Sequence, residues 1–258
     1  MIMNAKKVWA IEPNSLIEYL KLREKITSQS FNIDRPQEDE LLPFEVINDW
    51  AIVNINGVLL SQPDIIDLML GGINSKSIVN TVKELANSNL NGIILKITSP
   101  GGEATGLPEV SDQLYDLVKN SNIPIISFID NLGASGAYWI ASQTAAIFST
   151  RSSLIGSIGV LTIIDDISRA LEINGIDRYV LKTGELKAIG VGKVNETQLN
   201  YLKSIQDKYF SEFINAVQRG RNIVLNDYVL DGKVMLGDDA FKNNLIDDVI
   251  MGIDLLIS

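Results

Sequence analysis

The chain contains no histidine and no cysteine. Those two absences remove the Ser-His-Asp triad, the Cys-His dyad, thiol redox centres, Cys/His zinc sites and haem held by His or Cys. Any catalysis must therefore rest on Ser, Thr, Lys, Asp, Glu, Tyr or backbone groups. Basic residues are outnumbered too: 22 Lys+Arg stand against 32 Asp+Glu, a formal charge of −10. Nucleic acid and anionic lipid both require clustered Lys and Arg, so neither is expected as a partner. Long apolar runs are also missing. The most apolar windows, 123–129 and 249–257, are well short of the roughly 20 residues that span a bilayer. The opening MIMNAKKVWAIEPNSLIEYLK has no apolar signal-peptide core. The expectation is a cytoplasmic chain with no membrane anchor.

Phosphate loops are absent in the same sense. Neither GxxxxGK[ST] nor GxGxxG occurs, and GVGK at 190–193 lacks the spacing and the hydroxyl. The acidic pairs Asp165–Asp166, Asp238–Asp239 and Asp247–Asp248 are adjacent in sequence, so their carboxylates do not share one site and read as solvated surface. No metal or cofactor is expected.

What the chain does have is length and apolar content for one α/β core: 258 residues, 46% hydrophobic. Residues 1–45 read as an N-terminal arm, with an amphipathic helix at 15–28 opened by an Asn14/Ser15 cap and a charged linker at 34–40. Residues 46–258 read as one domain. Strands are expected at 51–59, 92–97, 123–129, 145–150, 156–164 and 178–182, and helices at 75–88, 103–119, 134–143, 196–221 and from about Asp238. Strand and helix in alternation imply an α/β fold with a mostly parallel sheet and crossover helices.

Three segments can carry chemistry. Ser99-Pro100-Gly101-Gly102 follows a buried strand and precedes a helix, so its backbone N–H groups can face a ligand as an oxyanion hole does; a tight turn is the alternative. Ser135, between Gly133 and Gly136 at a strand-to-helix junction, is either a nucleophile on an elbow or a helix N-cap. Lys187 lies among Leu186, Ala188 and Ile189. With histidine absent, lysine is the substitute base for a serine nucleophile. A lysine base must be brought from about 10.4 to about 7–8, at a cost of around 4 kcal/mol, which calls for desolvation. An apolar neighbourhood can provide it, though most lysines in such a stretch are simply solvated. Loss of activity as pH falls through about 7–8 would be the signature of such a base.

Taken together, SPGG, GASGAYW, GSIGV at 156–160 and TGELKAIG resemble, in one collinear order, the signal peptide peptidase A family of serine proteases. The opening VWAIEPNSLIEYLKLRE, the phrase SPGGEATGLPE and the later FSEFINAVQRGR resemble its soluble phage head-maturation branch. The resemblance implies a Clp-protease/crotonase-like superhelical fold and a Ser-Lys dyad that needs no cofactor. Ser135 matches the nucleophile and Lys187 the general base. Gly102 and Gly136 match the oxyanion hole, and Ser157 matches a serine that orients the lysine. It also implies a protein or peptide substrate such as scaffold or capsid protein, a location in the host cytoplasm or the phage prohead, and a homo-oligomer in which Ser and Lys can come from neighbouring subunits. The membrane-anchored relatives carry an N-terminal span that is not found here. No scaffold-like tail follows residue 258, so a scaffold would be a separate protein. One departure is Asn243–Asn244, where the family usually has glycine; Asn tolerates the left-handed conformation of a helix stop. Three other readings stand beside this one: a cytosolic host peptidase, a crotonase-like enzyme acting on CoA thioesters, and an inactive assembly protein.

Overall fold

A computed structural model of the protein describes residues 7–27 and 41–257. The expected linker at 34–40 and the end of the first helix at Ser28 lie outside the described residues. The first segment holds β1 (Trp9–Ile11) and α1 (Pro13–Thr27). The second runs β2 (Phe44–Ile47), β3 (Trp50–Asn56), β4 (Leu59–Leu60), α2 (Ile65–Met69), β5 (Ile73–Asn74), α3 (Ser75–Ala86), β6 (Gly92–Ser99), β7 (Gly101–Glu103) and α4 (Leu107–Asn120). It continues with β8 (Ile125–Ala134), α5 (Gly136–Ala141), β9 (Ile147–Ser149), β10 (Leu154–Gly156), α6 (Ser168–Ile173), a 3-10 turn (Glu185–Ala188) and α7 (Glu196–Arg221). β11 (Val234–Leu236), α8 (Gly237–Lys242), β12 (Asp248–Val249) and a last 3-10 turn (Ile253–Leu256) complete it.

The larger sheet has the order β11-β10-β8-β6-β3-β2, with β9 and β12 branching from β8. β3, β6, β8 and β10 are parallel neighbours, so this is the mixed α/β fold with a mostly parallel sheet and crossover helices that the strand-helix alternation predicts. The runs GIILKI and IISFI are apolar without alternation because both faces of a parallel sheet are covered. One face packs with residues of α3, α4, α5 and α7; on the other, Ile52, Ile94, Ile126 and Phe128 meet Ile257 from the chain's end. α7 opens with an Asn195/Gln198 capping box and closes on left-handed Asn222. α8 stops at Asn243, and Asn244 adopts φ 58°, so asparagine serves as the helix stop in place of glycine.

β8 is the strand that positions the site. Its first half pairs with β9 (Ser127↔Ile147) and its second half with β10 (Gly133↔Ile155), and its register on β6 shifts between Ile97 and Ser99. Left-handed Asn131 lies between the two halves. Such a shift in register bends a strand locally. A smaller sheet, β1-β7-β4-β5, stands beside it.

Four local expectations are corrected. The helix expected from 103 begins at Leu107, because the glycines of SPGG enter β7. Only 154–156 of the GSIGV region is a strand, followed by a single bridge at Leu161. Residues 178–182 form no strand; Tyr179 and Leu181 are 88% and 99% exposed, so no apolar face holds them in a sheet. The cap of α1 is the Glu12 carboxylate, which accepts the N–H groups of Asn14 and Ser15 at 3.1 and 2.8 Å, not an Asn14/Ser15 side chain.

Candidate active site

Ser135 sits between the last residue of β8 and the first of α5, with φ 52° and ψ −121°. A residue with a Cβ is strained there by about 1–3 kcal/mol. The surroundings hold it in place: its N–H donates to Gly156 O at 2.7 Å and its carbonyl accepts Trp139 N–H at 2.9 Å. α5 is buried along its whole length. Trp139 stacks on Phe213 of α7 at 4.5 Å, and the Tyr138 hydroxyl donates to Leu245 O at 2.8 Å. The GASGAYW motif thus combines the elbow with the packing that keeps it strained.

The two readings of Ser135 separate here. Its hydroxyl makes no capping bond to α5; it donates to Gly159 O at a loose 3.3 Å. The side chain is not spent on the helix. Gly159 also lines, with Ile158, Val160, Phe210 and Leu230, a cleft of about 310 Å³.

The two glycine amides lie side by side. A Cβ placed on Gly136 would be 3.4 Å from Gly102 N, and one placed on Gly101 would be 2.7 Å from Gly136 N. Gly102 has no room for a side chain, since its Cβ would fall 1.8 Å from Leu59 O. Gly101, at φ 94°, makes the turn that Ser99 pins through bonds to Gly57 O (2.6 Å) and from Gly101 N–H (3.2 Å). Both glycines follow from geometry: one from a left-handed turn, one from close backbone contact. α4 starts five residues beyond Gly102, so no helix N-terminus directly follows SPGG.

Ser157 is buried, at φ 51°, its N–H donating to Lys233 O at 2.7 Å. It follows β10, whose Gly156 carbonyl holds Ser135, so the two serines end neighbouring parallel strands. Lys187 is placed otherwise. It lies on the 3-10 turn Glu185–Ala188, which is fastened to α7 by Gln198 Nε2 donating to Glu185 O at 3.0 Å. Lys187 is exposed, Leu186 is 38% exposed, and only Ile189 is buried, so the apolar neighbours do not enclose the amine within a single chain. The structure therefore groups Gly102, Ser135, Gly136 and Ser157, and leaves Lys187 on a solvent-facing turn.

One participant escapes the motif reading: the strand 9–11, which lies along β7 with Ala10 opposite Gly102. Its local signal is a short apolar run, VWAI, ended by Glu-Pro, at the start of the phrase that resembles the phage branch, and nothing in that phrase assigns it to the site. Among the described residues, no helix is long and apolar enough to cross a membrane.

These features define an α/β protein that carries a strained, buried serine beside paired glycine amides. The model of Peptidase family S49 matches residues 118–255, just over half of the chain and inclusive of Ser135, Ser157 and Lys187. The chain belongs to that family. Among curated relatives it is 28% identical over 222 residues to "Protease 4" of Haemophilus influenzae, covering 82% of this chain and 34% of that protein. It is 28% identical over 198 residues to "Probable protease SohB" of Buchnera aphidicola subsp. Schizaphis graminum, covering 73% and 57%. The chain thus spans about a third of the first and somewhat over half of the second. Among solved structures, a mutant ClpP1 from Listeria monocytogenes superposes with a TM-score of 0.49 at 13% identity, over 80% of this chain and 94% of that one.

Proposed function

We infer that the chain is a serine endopeptidase of the Ser-Lys type. The observation that carries the reading is the Ser135 elbow: a strained, buried serine whose hydroxyl caps nothing, next to the Gly102 and Gly136 amides. Membership of Peptidase family S49 supports it. Ser135 Oγ attacks the carbonyl carbon of the scissile peptide bond and passes its proton to neutral Lys187 Nζ. The oxyanion is held by the Gly102 and Gly136 N–H groups. The C–N bond then breaks as the Lys187 ammonium protonates the leaving amine. A water that gives its proton to Lys187 attacks the acyl-enzyme ester, and Ser135 recovers its proton as the acid product leaves. Ser157 orients the lysine.

The base must reach the serine in a desolvated site, and the turn that carries Lys187 is exposed in one chain. The same region exposes Ile173, Tyr179 and Leu181. Large apolar side chains exposed together in one region mark an interaction surface, and we take its partner to be a second copy. A homo-oligomer in which neighbouring copies complete each other's sites accounts for both. The biological role we favour is phage head maturation, cutting scaffold or capsid protein, on the strength of the VWAIEPNSLIEYLKLRE and FSEFINAVQRGR phrases.

Casein hydrolysis and labelling by a serine-reactive phosphonate, followed by intact mass, test the chemistry. Both are expected to disappear in Ser135→Ala, and hydrolysis in Lys187→Ala. Activity unchanged by either substitution refutes the dyad.

A further inference from the structure

The strand β1 lies across the candidate active site. It pairs antiparallel with β7 in the register Trp9↔Glu103, Ala10↔Gly102, Ile11↔Gly101. Ala104 N–H donates to Val8 O and Glu12 N–H to Pro100 O, each at 2.9 Å. Bonds at residues 8 and 12 make Ala10 and Gly102 a hydrogen-bonded pair, since such pairs recur every second residue of an antiparallel ladder. On the strand's other edge, Trp9 exchanges both backbone bonds with Leu161 at 2.8 Å. β1 is thus sandwiched between the SPGG strand and the segment that follows Ser157. Ala10 O points to the glycine amides: it would be 2.2 Å from a Cβ on Gly101 and 2.9 Å from one on Gly136. Ala10 and Ser135 both have 0% exposure.

A protease takes its substrate as an extended strand added to a sheet edge, with the scissile carbonyl in the oxyanion hole. Here the chain's own segment holds that place. It is also firmly tethered. Lys7 Nζ pairs with Glu103 at 3.0 Å at one end of the strand. At the other, α1 is clamped to α2: Arg23 bonds Asp67 at 2.6 Å and also Asp64, and the Tyr19 hydroxyl donates to Asp67. Trp9, Ile11, Leu16 and Tyr19 form a small core with Val58 and Leu60.

We propose that the N-terminal strand 8–11 is an intramolecular occupant of the substrate cleft, so that the full chain is latent and the site opens only when this strand is withdrawn. The proposal rests on the reading of Ser135, Gly102 and Gly136 given above, and adds the control of that site. A tethered occupant acts at an effective concentration in the millimolar range, so a strand that would bind the open cleft with a Kd of about 10 μM as a separate peptide leaves the site open about 1% of the time, a slowing on the order of 100-fold.

The test compares the full chain with its Ala10→Arg variant, whose side chain does not fit a position of 0% exposure. Labelling of Ser135 by a fluorophosphonate is expected to be on the order of 100-fold faster in Ala10→Arg. A synthetic peptide of residues 6–14 at millimolar concentration is expected to return it toward the wild-type rate. Should Ala10→Arg fail to fold, judged by its melting curve, Trp9→Ala weakens the same strand and is expected to accelerate labelling in the same direction. Ala10→Cys reports docking apart from catalysis, because its thiol is the only one in the chain. That thiol is expected to react with a disulfide reagent at least 100-fold more slowly than in denaturant. A thiol as reactive as in denaturant overturns the proposal, as do equal labelling rates in wild type and a folded Ala10→Arg. Labelling of neither chain refutes Ser135 as nucleophile and removes the latency with it.

Discussion

Replacing Ser135 by glycine should leave a more stable fold than replacing it by alanine. Both substitutions delete a hydroxyl whose one bond, to Gly159 O, is 3.3 Å long, so their difference isolates the Cβ and the backbone. The conformation, φ 52° and ψ −121°, is that of the first central residue of a type II′ turn, a position that glycine favours. A side chain there costs about 1–3 kcal/mol, and this pair of angles belongs at the upper end. Against the relief, glycine loses about 0.5–1 kcal/mol more backbone freedom on folding, and removing one buried carbon forfeits about 0.8 kcal/mol. The balance is about 1 kcal/mol in favour of glycine, equivalent to about 2–4 °C in a chain of this size. Ala137→Gly is the control. Two residues on, inside α5 and 1% exposed, it suffers the same losses with no strain to relieve, and should cost about 1–2 kcal/mol. Thermal and urea melts of the three variants give the signs directly. If Ser135→Gly melts below Ser135→Ala by as much as Ala137→Gly melts below wild type, the elbow is unstrained and the argument for a positioned nucleophile loses its main support.

Three further outcomes are expected. Gly102→Ala puts a Cβ 1.8 Å from Leu59 O, so β7 must shift; phosphonate labelling and peptide hydrolysis should fall about 10²–10³-fold, with a stability loss of about 1–3 kcal/mol in urea melts. Asp64 is held down to about 2 by its hydrogen bonds from Arg23. A depressed carboxylate contributes stability above its unfolded value near 3.9 and loses it as pH falls through the folded one, so docking of α1 should weaken between about pH 4 and 2. Hydrogen exchange of the α1 and β1 amides should show that pH dependence, and Arg23→Ala should diminish it. Leu181→Glu should change the melting of an isolated chain by no more than about 0.5 kcal/mol, because the side chain is 99% exposed. It should nevertheless lower the mass seen by sedimentation and the hydrolysis rate together if that turn is covered by a second copy; an unchanged mass and rate would count against the shared site.

Much of this protein can be read along the chain. The runs 92–97 and 123–129 are apolar without alternation, and strands buried on both faces of a parallel sheet must be so. The glycines of SPGG and GASGA mark places where a Cβ has no room or the wrong φ, and they fall where the structure puts β7 and the elbow. α7 begins and ends where its Asn195/Gln198 box and Asn222 place it. These are local properties, fixed by spacing, caps and side-chain volume. Where the sequence reading missed, the deciding partner was distant. Residues 178–182 have strand-like composition but no sheet edge to join, and a strand cannot form from composition alone. SPGG enters a strand, not a helix, because β1 and β4 flank it.

Sequence by itself determined the chemistry available: with no histidine and no cysteine, a nucleophile and base had to be drawn from Ser, Lys and their like. Only the tertiary structure decided what stands around them. It set Ser135 on a strained turn, because Gly156 O and the buried face of α5 hold it there. It left Lys187 on an exposed turn, and it laid Ala10 across the glycine amides. Those relations join residues from about 20 to about 125 positions apart, and hydrogen bonds and close contacts over such separations are properties of the packed chain, with no periodicity to announce them.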